Sequence, residues 1–266
     1  MDPLQEGASG PQVLTLQTKL KEHGFSPGVI DGSFGPGTEA ALLAFQKSQG
    51  LLADGVVGPT TATALGFDAA DVPPPPDMPN VTLSIVAKMF PFTPLDNINR
   101  NLPHVLAALK AAGLTDLSIV LAALATIRAE TEGFVPIAEG ISRFNTSPGG
   151  HPFDLYDHRA DLGNNGAPDG ANFKGRGYVQ LTGRANYAKF GPLVGVPSLA
   201  EQPDRASDPD VAARILAAFI TSRRIQIKRA LLGGDLAGAR RQVNGGSNGL
   251  DRFSEAYKIG TRLMAA

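Results

Sequence analysis

Cysteine is absent from the 266 residues, which excludes disulfides and thiol catalysis. With four histidines in the chain, any metal site would have to be built from those and carboxylates alone. Nowhere do 18 uncharged apolar residues run together, so no stretch reads as a membrane span. The opening MDPLQEGASG has neither a basic n-region nor an apolar run, and no Sec-type signal is visible in it. Net charge is also small, −1 overall, but it is unevenly spread. Residues 1–77 hold three Lys and nine Asp or Glu, a balance of −6, so the remainder carries +5. A mildly basic second part suits an anionic polymer, although solvated surface charge accounts for it equally well. The length allows one or two domains, each large enough for a core.

What is present begins with an internal repeat at an offset of 23 residues. Asp31, Gly32, Phe34, Gly35, Pro36, Thr38, Ala41 and Leu42 recur as Asp54, Gly55, Val57, Gly58, Pro59, Thr61, Ala64 and Leu65. Each copy is a DG turn, an apolar plug, and a Gly-Pro that starts a helix with proline in its first turn. Ahead of them, Pro11 to Glu22 reads as a helix with Val13, Leu16 and Leu20 on one face. The three form a helical unit of residues 1–67. Taken in order, LQEGASGPQVLTLQTKLKEHGF, IDGSFGPGTEAALLAFQKSQGL and DGVVGPTTATAL resemble the small peptidoglycan-binding domain found beside many wall hydrolases. Residues 68–80, DAADVPPPPDMPN, read as a semi-rigid proline linker.

The second part, 81–266, is expected to be mainly helical, with helices over 81–89, 99–112, 116–132, 210–232, 236–243 and 249–263. The third of these is its axis, because Leu117 to Ile127 carries no charge and Arg128, Glu130, Glu132 and Glu139 follow within twelve residues. Thr115 is the expected N-cap and Gly133 the stop. Glu130 shares a helical face with Ile127, Ala123 and Ile119, which aims it at interior or cleft. A helix C-terminus and apolar surroundings both disfavour an anion there, which suits a general acid. Glu139 lies beyond Gly133 and Pro136, on a loop facing the helix. Two carboxylates in different environments meet the needs of glycosidic hydrolysis, while a simple solvated cluster around Arg128 is the plain alternative.

Between Phe134 and Pro197 runs a long Gly-, Pro- and Asn-rich stretch containing FKGRGYVQLTGRANY, residues 173–187. Alternation over Tyr178, Val179 and Leu181 predicts a short strand with Gln180 and Thr182 on its opposite face. The glycines lack the spacing of either phosphate motif, so no nucleotide loop is expected. With AETEGF at 129–134 and VNGGSNGL at 243–250, this segment resembles family-19 glycoside hydrolases, in particular their lysozyme-like endolysin branch. The resemblance implies a lysozyme-like α-helical domain with long loops and little β. It implies Glu130 as general acid, Glu139 as the base that activates water, and Thr182 as a holder of that water. It also implies Gln180, Tyr187 and Asn244 as substrate-binding residues, with inversion at the anomeric carbon. Ala129 stands where many relatives have His, and Glu132 is an added acid roughly 200° around the helix from Glu130.

These readings imply a modular endolysin that cuts the β-1,4 bond between N-acetylmuramic acid and N-acetylglucosamine, without metal or cofactor. The expected partner is bacterial peptidoglycan, with no nucleic acid, no stable membrane insertion and a monomeric chain. The expected setting is synthesis in a host cytoplasm and action on the wall after the inner membrane is breached. Chitin is the rival substrate on the same catalytic residues. A zinc amidase or peptidase is the rival class, because HPFDLYDHRAD at 151–161 holds His151, Asp154, Asp157, His158 and Asp161.

Overall fold

The computed structural model describes residues 4–51, 53, 55–67, 78–244 and 248–264, without the side chains of 59, 60 and 244. Most of the expected linker, together with Asp54, therefore lies outside the described residues. The chain separates into two compact units, Met1–Asp77 with Thr221–Ile225, and Met78–Ile220 with Gln226–Ala266.

In the first unit α1 (Pro11–Glu22), α2 (Pro36–Ser48) and α3 (Pro59–Leu65) each start on a proline that follows a glycine N-cap. A buried glutamine holds each DG turn to the helix before it. Gln17 donates to Val29 O (3.2 Å), Ser33 O (3.1 Å) and Thr38 Oγ1 (3.1 Å), and accepts from the Gly32 amide (2.9 Å). Gln46 repeats the arrangement with Val56 O (3.0 Å), Thr61 Oγ1 (3.2 Å) and the Gly55 amide (3.0 Å). The 23-residue repeat is thus one hydrogen-bonding device used twice. Its buried amides satisfy turn groups that no ladder reaches.

The second unit runs through α4 (Leu83–Met89), α5 (Leu95–Ala111), α6 (Leu117–Glu130), β1 (Ile137–Ala138), α7 (Asp154–Asp157), α8 (Asp169–Asn172), β2 (Arg176–Gly177) and α9 (Arg184–Leu193). It closes with α10 (Pro209–Ser222), α11 (Arg224–Leu232), α12 (Leu236–Asn244) and α13 (Leu250–Met264). Among the described residues the chain is mainly α, with a single antiparallel pair in which Ile137 faces Gly177 and Ala138 faces Arg176. Helix α6 is buried from Ile119 to Ala129. α13 lies antiparallel along it: a Cβ at Gly260 would come 2.6 Å from Leu121, and one at Gly249 3.0 Å from the Ala129 carbonyl.

Several expected boundaries shift. Asp116, not Thr115, caps α6: its Oδ1 accepts from the amides of Ser118 (3.0 Å) and Ile119 (3.4 Å). Thr115 is buried instead. The helix ends at Glu130 rather than running to Gly133, because Glu132 (φ 48°) and Phe134 (φ 53°) turn the chain back in left-handed conformations. Phe134 is fully buried between Phe90 and Tyr178, and this packing offsets the backbone cost. α5 begins at Leu95, four residues before the expected 99. The helix expected over 210–232 is broken at Arg223, within a Thr-Ser-Arg-Arg-Ile run that contains no breaker.

Burial alone would raise the Asp116 carboxyl, but the Ser118 hydroxyl and the Lys228 ammonium (2.9 Å) outweigh it and hold the group below the ordinary aspartate range. A depressed carboxyl stabilises the fold above its unfolded pKa of about 4 and loses that contribution as pH falls through the folded value. Asp116→Ala should therefore cost about 1–2 kcal/mol at pH 7. In urea unfolding followed by helical circular dichroism, the gap from the unaltered chain should shrink progressively below about pH 4.

Candidate functional site

The candidate residues fall in two places: Glu139 with the loop around β2, and Glu130 at the end of α6. Pairing of β1 with β2 carries the chain directly into Glu139, whose amide donates to Gly175 O at 2.8 Å. Its carboxylate is held at both oxygens. Oε1 accepts from Asn145 Nδ2 (2.9 Å) and the Tyr156 hydroxyl (2.9 Å), and Oε2 from the Gly175 amide (3.2 Å). Three donors converge on it.

Asn145 is itself fully engaged. Its Oδ1 accepts from the Ser142 amide (2.8 Å) and the Thr146 hydroxyl (2.9 Å), and its Nδ2 also reaches Gly140 O (2.9 Å). Tyr156 is pushed up to about 12 by burial first and then by its bond to Glu139, so its hydroxyl keeps its proton and stays a donor.

Gly175 explains why this loop needs glycine. A Cβ there would stand 2.8 Å from Gln180 Oε1 and 3.2 Å from both Glu139 Oε2 and Thr182 Oγ1. Three of the residues marked out in the sequence therefore surround one small space. They do so without the expected strand. Past β2 the chain makes a turn closed by two bonds between Arg176 and Leu181 (2.9 and 3.2 Å), with Gly177 and Gln180 both at positive φ. The alternation of Gln180 and Thr182 therefore reflects a turn and not a pleat. Gln180 Nε2 is tied to Ile137 O and Gly177 O, each at 3.1 Å, and the Thr182 hydroxyl donates to Gln180 O at 2.8 Å.

Tyr187 does not line an open cleft. It is fully buried against Phe173, pushed up to about 12 chiefly by that burial. Its hydroxyl donates to Lys174 O (2.8 Å) and accepts from Arg176 Nη1 (3.0 Å), so it braces the residue before Gly175 from behind. Arg176 is buried too and reaches Asp204 at 2.6 Å. The side chain of Asn244 lies outside the described residues.

Glu130, the last residue of α6, has a side chain 19% exposed. The apolar surroundings expected for it are replaced by a buried guanidinium: Arg240 Nη2 lies 2.7 Å from its Oε1. Arg240 is fixed by two bonds to Asn248 O (3.0 and 2.8 Å). Glu132 belongs elsewhere. Arg128 (2.6 Å), and after it Arg252 (3.1 Å), hold its carboxyl below the ordinary glutamate range, in a surface ion network.

Asn145, Tyr156 and Arg240 were not marked out in the sequence. Tyr156 sits inside the stretch read there for its His and Asp, and Arg240 is one of several arginines with nothing nearby in sequence to separate it from a surface charge. The acids of that stretch are engaged within the fold: Asp157 with His151 (3.0 Å) and the Gly170 amide (2.8 Å), Asp154 with Ser147, and Asp161 with Arg159. Among the described residues no group of three His, Cys, Asp or Glu side chains is arranged to hold a metal ion. No helix there is long and apolar enough to cross a membrane.

Residues 9–65 match the family model described as "putative peptidoglycan binding domain". An N-acetylmuramoyl-L-alanine amidase, CwlM, of Mycobacterium tuberculosis is 47% identical over 58 residues, 22% of this chain and 14% of its own length. A spore cortex-lytic enzyme of Bacillus cereus is 48% identical over 62 residues, covering 23% of this chain and 24% of its own. A zinc D-Ala-D-Ala carboxypeptidase of Streptomyces albus G is 46% identical over 63 residues, again 24% of its length. The chain thus spans a quarter or less of these relatives, and the likeness is that of one small domain. Among solved structures, chitinase C from Streptomyces griseus HUT6037 superposes with a TM-score of 0.49 at 22% identity, over 70% of this chain and 77% of its own. A Burkholderia AP3 phage endolysin gives 0.31 at 18% identity, over 98% and 100%. Both TM-scores are too low to assign chemistry by likeness.

Gly175→Ala should leave the fold nearly intact, because the new Cβ meets only the ends of Gln180, Glu139 and Thr182. The expected result is a melting temperature within about 4 °C of the unaltered chain. The hydrogen bonds of Gln180, Glu139 and Thr182 should shift around the new methyl, seen as changes in their side-chain NMR signals.

Proposed function

We propose that the chain is a peptidoglycan hydrolase of the endolysin type, which cuts the β-1,4 bond between N-acetylmuramic acid and N-acetylglucosamine by single displacement. The observation that supports this reading is that Glu139 Oε2 and Thr182 Oγ1 both lie beside Gly175, each 3.2 Å from where a Cβ on that residue would stand, so one water in front of the loop can meet both. The Thr182 proton is committed to Gln180 O, so Thr182 meets a water there as an acceptor. Glu139 Oε2 accepts the other proton. Both protons of the water are then directed into the protein and its lone pair points away, toward an anomeric carbon. Glu139 takes the proton as the water attacks, and the bond from carbon to the glycosidic oxygen breaks on the opposite side.

Glu130 is assigned as donor of the proton to that leaving oxygen by the family resemblance and not by its surroundings, where Arg240 replaces the apolar environment expected. Arg240 fixes the carboxyl at one oxygen and leaves the other for the sugar. Inversion requires the two carboxyl groups roughly 6.5–9.5 Å apart, a spacing that a helix end facing a loop suits. Gln180 and Asn244 are assigned to substrate, and Tyr187 to support of the loop. The assignment of peptidoglycan over chitin rests on the N-terminal domain, because both polymers offer the same bond to the same acid and base. In this reading the protein reaches the wall after the inner membrane of its host is breached, and the first unit raises the effective concentration of wall at the catalytic unit.

Release of reducing ends from peptidoglycan and from chitin, compared for the unaltered chain, Glu130→Gln and Glu139→Gln, tests the chemistry. Loss of at least about 99% of activity on peptidoglycan in both folded variants, with chitin uncut, is the expected outcome. Solubilised wall with no new reducing ends, abolished by a chelator, would replace the glycosidase with a metal amidase. Removal of residues 1–67 should weaken action on intact walls at least about tenfold while sparing soluble glycan fragments; equal losses on both would remove the anchoring role.

A further inference from the structure

Helix α1 has a second face that the core does not use. Val13, Leu16, Gln17 and Leu20 are buried. Leu14, Thr18 and Glu22 follow one another at a spacing of four on the other side, which places them in one row. That row and the DG turn at Asp31 enclose a groove of about 730 Å3, lined also by Thr15 and Lys19. Gly32 brings the turn close: a Cβ there would lie 3.1 Å from Leu14 Cδ1.

The chemistry of this lining is one-sided. Leu14 is 45% exposed and offers an aliphatic floor. The hydroxyls of Thr15 and Thr18 donate back to Pro11 O (3.1 Å) and Leu14 O (2.9 Å), so they present lone pairs to a guest. Lys19, the cation of the lining, has its ammonium 2.5 Å from Gly66 O and 5.5 Å from the centre of the Phe67 ring. Asp31 is set rigidly, its Oδ1 accepting from the Ser33 amide (2.8 Å) and from Gln17 (3.2 Å), and these bonds hold the carboxyl below the ordinary aspartate range. Glu22 adds a second, exposed carboxylate. The lining includes no aromatic face and no side-chain amide, the groups that grip a sugar ring and its acetamido substituent.

We propose that this groove binds the peptide stem of peptidoglycan through a diamino acid residue, whose aliphatic chain lies on Leu14 and whose ammonium is drawn by Asp31 and Glu22. The assignment rests on the wall as the ligand of the first unit and names the part of the wall that is read. The glycan is then left to the second unit, so one polymer is held by its peptide and cut in its sugar.

The test uses the full chain and three soluble probes: the stem peptide L-Ala-γ-D-Glu-L-Lys, the same peptide acetylated on the lysine side chain, and a tetramer of N-acetylglucosamine. Calorimetric titration should show the free-amine peptide binding and acetylation weakening it by about five- to tenfold, with the affinity falling as salt is raised. Asp31→Asn, which keeps an oxygen for the Ser33 amide, and the exposed Glu22→Gln should each produce a smaller loss of about two- to threefold. Equal binding of both peptides, or no effect of either variant, would overturn the ammonium assignment. A response confined to the sugar tetramer would overturn the peptide assignment altogether. Co-sedimentation with purified sacculi separates the two levels: failure of the unaltered chain to sediment removes the wall as ligand. Sedimentation that neither variant alters, without peptide binding, removes only this groove.

Discussion

Everything in the second unit depends on one helix being enclosed on all sides. α6 has no exposed face from Ile119 to Ala129, so it is stable only where other elements cover it, and α13 covers it closely, with Gly260 and the preceding Gly249 against it. In a chain without cysteine, close packing of this kind holds the helices together without disulfides. Enclosure also dictates how the helix ends. The chain emerges from a packed core and must reverse at once, which Glu132 and Phe134 achieve in left-handed conformations, with the buried Phe134 ring as the anchor. The reversal carries the chain into β1 and so to Glu139.

The region beyond has little regular structure to hold its backbone, and side chains take over that task. Asn145, Tyr156, Gln180 and Arg176 each bond to main-chain carbonyls or to the catalytic candidates, and every one of them is positioned by a further partner. Such a network tolerates few changes, because a lost partner leaves a buried polar group unsatisfied. Gly175 belongs to the network by having no side chain. The first unit solves the same problem on a smaller scale with Gln17 and Gln46, one for each DG turn.

The two units present different chemistry. The first presents carboxylates and an aliphatic floor beside α1, and the second presents two glutamates with a buried guanidinium at one of them.

The helical character of the chain, the repeat at 31–42 and 54–65, the proline starts, and the central place of α6 were all legible in the sequence. They follow from local preferences and from a hydrophobic run, which act within a few residues. Gln180 and Thr182 were marked out by one motif, although the strand invoked to group them is a turn, and Glu139 was marked out separately by its place beyond Pro136; their meeting at Gly175 was not legible. Asn145, Tyr156 and Arg240 were not legible, nor was the burial of Tyr187. Arg240 is separated from Glu130 by 110 residues, and an arginine in a helix has the same local signature whether it meets solvent or a carboxylate. Sequence alone determined which segments are helical and which residue types are available for chemistry, since those depend on each residue and its near neighbours. Only the tertiary structure decided which charge meets which, and therefore that Glu130 has a guanidinium for a neighbour, because desolvation and pairing exist only after distant segments have packed together.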